Sequence, residues 1–459
     1  MCGARAYKGE SIRIAGVSTD TRSIQAGQLF IPLVGENFDG HEYVAQALSQ
    51  GAAAALWEMK REVPQELANA PLLFVRNTLK ALQQLATSYR EELYVRVIGI
   101  TGSNGKTTTK DMVAAVLGTS YKVHKTAGNL NNHIGLPLTV LQLDEETDAA
   151  VLEMGMSGFG EIELLTNIAR PDVAVITNIG DAHLLQLGSR EGIAKAKLEI
   201  AQGLHSGGIL LYNGDEPLLA AELKTMSLPE GTQLQTFGLG ESNDWSAADI
   251  AVGAVSSTFA VKRNGQDTTS APYTIPVPGQ HNVSNALAAI AIGRRFGIPE
   301  EDIRRGLIGL ELTGMRIQPV KAHNGAMILN DAYNANPTAV RAAIDLVGQL
   351  TGFRRKWIVL GDMLELGPDE EALHFETGAY ITPEKADAVV TCGLLSEHTS
   401  AGALSKFPAD AKDAAIVHFD DKGKLGEWLK EQVEPGDLVL VKGSRGMRME
   451  QIVQTLEAR

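Results

Sequence analysis

The sequence predicts an α/β protein of three domains, with a central parallel-sheet domain between a small α/β N-terminal domain and a Rossmann-like C-terminal domain. Three observations carry this expectation. A chain of 459 residues is longer than one hydrophobic core normally serves. Short apolar runs alternate with helix-patterned stretches over most of its length. The texture changes near residue 94 and again near 312, giving expected units of 1–93, 94–312 and 313–459.

Composition narrows the class. With 44% hydrophobic and 21% charged residues the chain has the make-up of a folded soluble protein. A net charge of −14 opposes a nucleic-acid-binding surface, which needs clustered Lys and Arg. The opening MCGARAYKGE has no apolar run after its charges, and nothing later approaches 18 uncharged apolar residues, so neither secretion nor membrane insertion is expected. Cys2 and Cys392 are too few and too distant for a disulfide framework or a thiolate metal site. A cytoplasmic monomer is the expectation.

In the first unit, 29-LFIPLV-34 and 72-LLFV-75 read as strands, and residues 42–55 and 78–89 as helices, the first rich in alanine. The second opens with VIGITGSNGKTTTKDMVAAVL from Val97. Val97, Ile98 and Ile100 form a β-branched run, while Met112, Val113, Val116 and Leu117 recur at helical spacing. Between them, 102-GSNGKT-107 fits the G-x-x-G-K-T core of a phosphate loop, without the longer spacing of the full motif. Gly102 and Gly105 let backbone N–H groups turn toward an anion at a helix's positive end. Lys106 would reach terminal phosphates and the Thr107 hydroxyl would hold magnesium. An ordinary polar loop is the alternative, but the strand before and helix after are the context a phosphate loop requires. The central domain is therefore expected to be P-loop ATPase-like, with ATP the expected nucleotide.

Residues 149–155, 173–179 and 208–214 read as further buried parallel strands, 246–275 as an antiparallel appendage, and 281–297 as a helix with Asn282 or Ser284 near its start. The third unit carries strand-like runs at 326–331, 357–362, 388–393 and 438–443.

Open α/β sheets bind ligands at the C-terminal ends of their strands, which directs attention to the polar residues there. Glu153 ends an apolar run, where a carboxylate needs a cation or several donors; it is a magnesium ligand or has a structural helix-end or salt-bridge role. Asp181 and His183 follow the next strand; imidazole is not magnesium's preferred donor, so His183 is a ligand or a satisfied loop histidine. In the helix 189–204, Lys197 shares a face with Ile193, Ile200, Ala201 and Leu204, whereas Lys195 lies with Glu191 and Glu199. Lys195 reads as a solvated salt-bridging residue; the Lys197 stem snorkels, or its amine is functional. The segment 330-NDAYNANP-337 offers Asp331, Asn334 and Asn336 ahead of a helix, as a ligand cradle or a plain Asn/Pro turn. Lys442, Arg445 and Arg448 in VKGSRGMRME read as an anion site or as surface charge.

These segments together resemble the Mur ligase family over nearly the whole chain. The resemblance rests on STDTRSIQAGQLFIPLVGENFDGHEY from Ser18, TGSNGKTTTKD from Thr101, GNLNNHIGLPLT from Gly128, LEMGMSGFGEI from Leu152, TNIGDAHL from Thr177, AKAKLEI from Ala194, GQHNVSNALAA from Gly279, NDAYNANP, LGDMLELG from Leu360 and VKGSRG from Val441. NNHIGLPLT, EMGMS and DAYNANP point within it to the branch that adds D-Ala-D-Ala. The resemblance implies that ATP phosphorylates the terminal carboxylate of UDP-N-acetylmuramoyl-tripeptide, and that the D-Ala-D-Ala amine displaces phosphate from the acyl phosphate.

It also implies residue roles. Gly102, Ser103, Asn104, Gly105, Lys106, Thr107, Thr108, Asn282, Asn285, Arg316 and Asp331 would bind ATP, with Asn285 at the adenine. Thr107, Glu153, His183 and Lys197 would hold magnesium, the lysine as its carbamate, N6-carboxylysine. Ser18, Thr19, Asp20 and Arg22 would hold the UDP-sugar, and Asn334 and Asn336 the dipeptide. Lys106, Lys197, His183 and Glu153 would be catalytic, with domain closure completing the site. Two departures stand out: the short lead before the first strand, where relatives carry a helix, and GMRIQ where several have Gly-Arg-x-Glu. A ligase adding a single amino acid and an idle nucleotide-binding scaffold are the rival readings. The absence of an Asp-Asn-Pro-Arg motif opposes the first, and intact Lys106, Thr107, Glu153, His183 and Lys197 oppose the second.

Overall fold

The apolar runs are gathered into three sheets in a computed structural model that describes residues 12–268, 271–408 and 415–458. Cys2 and the lead into the first strand lie outside the described residues. The first sheet has four parallel strands in sequence order, β1 (Val17–Ser18), β2 (Leu29–Phe30), β3 (Ala54–Glu58) and β4 (Leu72–Val75). The expected strand 29–34 joins the sheet only at Leu29 and Phe30, with Val34 in an isolated bridge to Asp39; Pro32, which has no N–H, lies between. The expected helix 42–55 is also shorter, Val44–Ser49, because Gly51 turns the chain at φ +103° and Ala54 and Ala55 enter β3. Alanine is the strongest helix former, so its abundance pointed to helix across a turn and a strand that tertiary pairing imposes. The second helix, Thr78–Glu92, follows its expected course.

The second sheet sets the site. Strands β5 (Arg96–Thr101), β6 (Val123–Lys125), β7 (Ala149–Glu153), β8 (Val173–Ile176), β9 (Ile209–Asn213) and β10 (Gln233–Gly238) run parallel in the order β6-β7-β5-β8-β9-β10. β11 (Trp245–Val252) continues in parallel, and β12 (Ser257–Arg263), β13 (Gln266–Asp267) and β14 (Tyr273–Ile275) add the antiparallel appendage. Side chains alternate between two cores. Ile98, Ile100, Val151 and Val175 pack with the helices Lys106–Leu117 and Gln280–Arg295, while Val97, Leu152, Ala174 and Ile176 pack with Ile162, Leu165, Ile193 and Ile200. After β5 the chain adds strands on one side as far as β7, then on the other from β8. That reversal opens a crevice at the C-terminal ends of β5, β7 and β8.

The third sheet has the order β15-β16-β20-β17-β18-β19, comprising β15 (Gln318–Lys321), β16 (Met327–Asp331), β17 (Lys356–Gly361), β18 (Ala388–Cys392), β19 (Ile416–Phe419) and β20 (Leu438–Lys442). All pairs are parallel except β15 with β16. β15, a polar edge strand containing Pro319, carries no apolar run to announce it.

Close packing of this domain depends on two glycines. A Cβ at Gly378 would lie 1.9 Å from Thr399 O, and one at Gly402 2.0 Å from Phe375 O, where the helices Glu370–Ala379 and Ser396–Leu404 cross. Gly378→Ala should therefore destabilise the protein by about 1–3 kcal/mol in urea unfolding. An unchanged midpoint would contradict the close crossing.

Candidate active site

The loop after β5 admits only small backbone at two points. Gly102 has φ +150°, and a Cβ there would lie 1.8 Å from Thr177 Oγ1; Gly105 has φ +80°, and a Cβ would meet the Asn285 amide at 2.7 Å. Ser103 N–H donates to Asn178 O at 3.0 Å and Asn104 N–H to Asn178 Oδ1 at 2.8 Å, tying the loop to the end of β8. The first-turn N–H groups of the helix Lys106–Leu117 have no partner within the helix, which leaves them suited to an anion. Lys106 Nζ bends over the loop, donating to Gly102 O at 2.7 Å and Ser103 O at 3.3 Å. Burial draws its pKa down, opposed by Glu153 and aided by Arg316.

Glu153 is 2% exposed and forms no salt bridge among the described residues. Two neutral donors satisfy its carboxylate: Thr107 Oγ1 donates to Oε2 at 2.8 Å and Asn131 Nδ2 to Oε1 at 2.8 Å; its own backbone N–H donates to Thr126 Oγ1 at 3.0 Å. The salt-bridge alternative thereby falls away. His183 has a left-handed backbone, φ +65°, and its Nδ1 lies 3.2 Å from Glu365 Oε2, itself on a left-handed residue. Burial, then Lys197 and Lys106, lowers the His183 pKa. Lys197 is 2% exposed, as its place on the apolar helix face foretold, and has no hydrogen-bond or ion-pair partner among the described residues. Burial, then the Lys106 charge, holds its pKa well below the ordinary lysine value. Lys195 is exposed, 3.9 Å from Glu222. Glu199, expected beside it, instead accepts the N–H groups of Gly160 and Glu163 at a helix start.

Residues 103–108, Glu153, His183, Lys197, Asn282 and Asn285 line one cleft of about 680 Å³, closed on its far side by Arg316, Asp331 and Asn334 of the third domain. Arg316 stacks 4.1 Å above Tyr333. Asp331 pairs with Lys442 at 2.6 Å, and Lys442 also donates to Asn334 O at 2.9 Å. The expected anion site of Lys442, Arg445 and Arg448 does not form: Lys442 is buried on Asp331, Arg445 pairs with Glu450 at 2.9 Å, and Arg448 is exposed. Acids take up two of these cations, Asp331 from 111 residues away and Glu450 from five.

Asn334 is exposed in the cleft, but Asn336 is not. Its Oδ1 caps the helix Pro337–Gln349 by accepting Ala339 N–H at 2.9 Å, and its amide exchanges hydrogen bonds with Asn104 at 2.8 and 3.3 Å. Thr338 donates to Asp181 at 2.7 Å alongside, so both bonds join the second and third domains. Ser18, Thr19, Asp20 and Arg22 lie apart, in the turn after β1; there Arg22 forks onto Asp20 and holds its carboxyl down at about 2. Sequence reasoning assigned no role to Asn131, which the Asn-rich 129-NLNNH-133 could have flagged. It likewise passed over His281, a cleft residue whose pKa burial lowers from 6.5 to about 4.

Three domain families match in succession: Mur ligase family, catalytic domain, over residues 13–90; Mur ligase middle domain over 100–293; and Mur ligase, glutamate ligase domain, over 315–445. The chain belongs to the Mur ligase family. It is 52% identical over 447 residues to the UDP-N-acetylmuramoyl-tripeptide–D-alanyl-D-alanine ligase of Bacillus subtilis (strain 168), covering 97% of this chain and 94% of that protein. A crystal structure of MurF from Acinetobacter baumannii superposes with a TM-score of 0.85 at 32% identity, covering 96% of this chain and 93% of that one. That of MurF ligase from Thermotoga maritima in complex with ADP gives 0.83 at 28%, covering 98% of each.

As a Mur ligase the protein is an ATP-dependent ligase, and the cleft fits a nucleotide with magnesium. Thr107 and Glu153 present two hard oxygens to it. No three His, Cys, Asp or Glu side chains converge among the described residues.

The depressed His281 pKa gives a linkage with a definite sign. Between pH 6.5 and about 4 the unfolded chain binds a proton that the folded one refuses, so stability falls as pH drops through that window. His281→Asn should reduce the slope by up to about 1.4 kcal/mol per pH unit in urea titrations across it. A slope equal to wild type would contradict the burial.

Proposed function

We propose that this Mur ligase joins D-Ala-D-Ala to the terminal carboxylate of UDP-N-acetylmuramoyl-tripeptide, through an acyl phosphate made from ATP. The observation that carries the reading is the single cleft in which the phosphate loop, Glu153 and the loop bearing Asn334 converge. In this reading residues 1–93 bind the UDP-sugar through Ser18, Thr19, Asp20 and Arg22. Residues 94–312 bind ATP, with Asn282 and Asn285 near the base, and residues 313–459 bring Arg316, Asp331 and the dipeptide.

The tripeptide carboxylate oxygen attacks the γ-phosphorus, and the bond to the departing ADP oxygen breaks. Lys106 and the loop N–H groups stabilise charge on the transferred phosphoryl group without reorganising. The dipeptide amine then attacks the acyl carbon, the tetrahedral centre collapses, and inorganic phosphate leaves as the amine sheds its proton. Asn334 meets the dipeptide, with Asn336 shaping the loop around it. Magnesium bound by Thr107, Glu153 and neutral His183 would offset phosphate charge. Burial pushes the Lys197 amine toward the neutral form, the one that combines with carbon dioxide, and its carbamate would supply a further anionic oxygen. The enzyme acts as a cytoplasmic monomer in this reading; among the described residues no helix is long and apolar enough to cross a membrane.

Phosphate release should be measured with UDP-muramoyl-tripeptide and a panel of acceptors. Release with D-Ala-D-Ala alone supports the reading; release with a single amino acid, or with no acceptor, contradicts it. Lys106→Ala should fold normally yet lose roughly 3–4 kcal/mol of transition-state stabilisation in kcat/KM. Lys197→Ala should be nearly inactive and partly restored by formate or acetate, with Lys195→Ala at the wild-type rate. Failure of carboxylate to restore Lys197→Ala would remove the carbamate.

A further inference from the structure

The helix that begins at the phosphate loop buries a pair of charges for which the chemistry above has no use. Lys110 and Asp111 are 0% and 1% exposed. A carboxylate so placed needs cations and donors around it, and the identity of those donors is informative. Asp111 Oδ1 accepts from Lys125 Nζ at 2.7 Å and lies 3.5 Å from Lys110 Nζ. The other oxygen, Oδ2, accepts the backbone N–H of Thr313 at 2.8 Å, a residue 202 positions away at the start of the connector into the third domain.

Arg316 follows three residues later. On the far side of Arg316 the Ile317 N–H donates to Asp331 Oδ1 at 3.3 Å, so a carboxylate from each domain pins one end of a five-residue span. Between the pins, Met315 and Ile317 are left-handed at φ +62° and +49°, a conformation that β-branched Ile317 adopts only where its surroundings impose it. The same pair of charges reaches the catalytic floor: Lys110 Nζ donates to Thr126 O at 3.0 Å, and Thr126 Oγ1 accepts the Glu153 N–H at 3.0 Å.

We propose that Asp111 is a positioning residue for ligation: by holding the Thr313 N–H it ties the interdomain connector to the phosphate-loop helix and sets where Arg316 enters the cleft. Lys110 and Lys125 neutralise Asp111 for this task. Were the carboxylate present only to neutralise those lysines, the bond to Thr313 would be dispensable. The proposal rests on the reading of the cleft as the nucleotide site.

The test compares Asp111→Asn, Arg316→Ala and their double variant, with Thr313→Pro added. The proline removes the donor while leaving Asp111 and both lysines in place. Kinetics of D-Ala-D-Ala-dependent phosphate release are paired with amide hydrogen exchange, which needs no turnover. Asp111→Asn and Thr313→Pro should lower kcat about tenfold or more and reproduce the division between kcat and ATP KM that Arg316→Ala shows. The double variant should be no slower than Arg316→Ala within about twofold, because both changes act through one side chain. Exchange over residues 313–317 should rise about tenfold or more while residues 97–108 keep their protection. Multiplied losses in the double variant, wild-type kcat in Thr313→Pro, or unchanged exchange at 313–317 would each overturn the proposal. A wild-type protein without acceptor-dependent release would instead remove the function reading, and the exchange result would still decide whether Asp111 holds the connector.

Discussion

A carboxylate at the end of a buried strand is the constraint around which the site is organised. Glu153 has neutral hydrogen-bond donors and no salt bridge, so its charge stays available to the cleft. Each bond ties in a separate piece of chain: the Thr107 hydroxyl the first turn of the phosphate-loop helix, the Asn131 amide the loop after β6, and the Glu153 N–H, donating to Thr126 Oγ1, the residue that follows β6. The hydroxyl and the carboxylate that suit magnesium are thus held together before any ion binds, and the end of β8 and Asn285 crowd the loop so closely that only glycine fits at 102 and 105.

The third domain completes the cleft through polar contacts of modest strength. Asn104 with Asn336, Asp181 with Thr338, and His183 with Glu365 all link the phosphate-loop side to the opposite wall. Hydrogen bonds at a solvated seam contribute little each, about 0.5–1.5 kcal/mol, which suits surfaces that part to admit substrates. The sheets are fixed by apolar burial, whereas the seam adds these polar bonds to a small apolar contact, where Val252 and Ala254 pack against the third domain's core.

What could be read in the sequence was local. The phosphate loop announced itself because strand, glycines and helix are contiguous, and Lys197 because helical periodicity places it among Ile193, Ile200 and Leu204. Glu153 was visible as a charge ending an apolar run, although its donors, from Thr107 and Asn131, were not. Partnerships across long separations escaped: Lys442 with Asp331 and Asp111 with Thr313 join segments more than 100 residues apart, and no periodicity encodes them. Asn336 looked like a ligand residue and proved to be a helix cap, since the same amide chemistry serves both ends. The alanine-rich helix was overrun because alanine favours helix, whereas pairing with β2 and β4 draws Ala54 and Ala55 into β3.

The central claim is that phosphoryl transfer to the tripeptide carboxylate precedes amide formation in this cleft. Following oxygen tests it most directly: UDP-muramoyl-tripeptide labelled with oxygen-18 in its terminal carboxylate is turned over with ATP and D-Ala-D-Ala, and the released phosphate is analysed by mass spectrometry. The account predicts that one labelled oxygen passes from the carboxylate into each inorganic phosphate formed. Phosphate carrying no label from the carboxylate, while amide product accumulates, would contradict it.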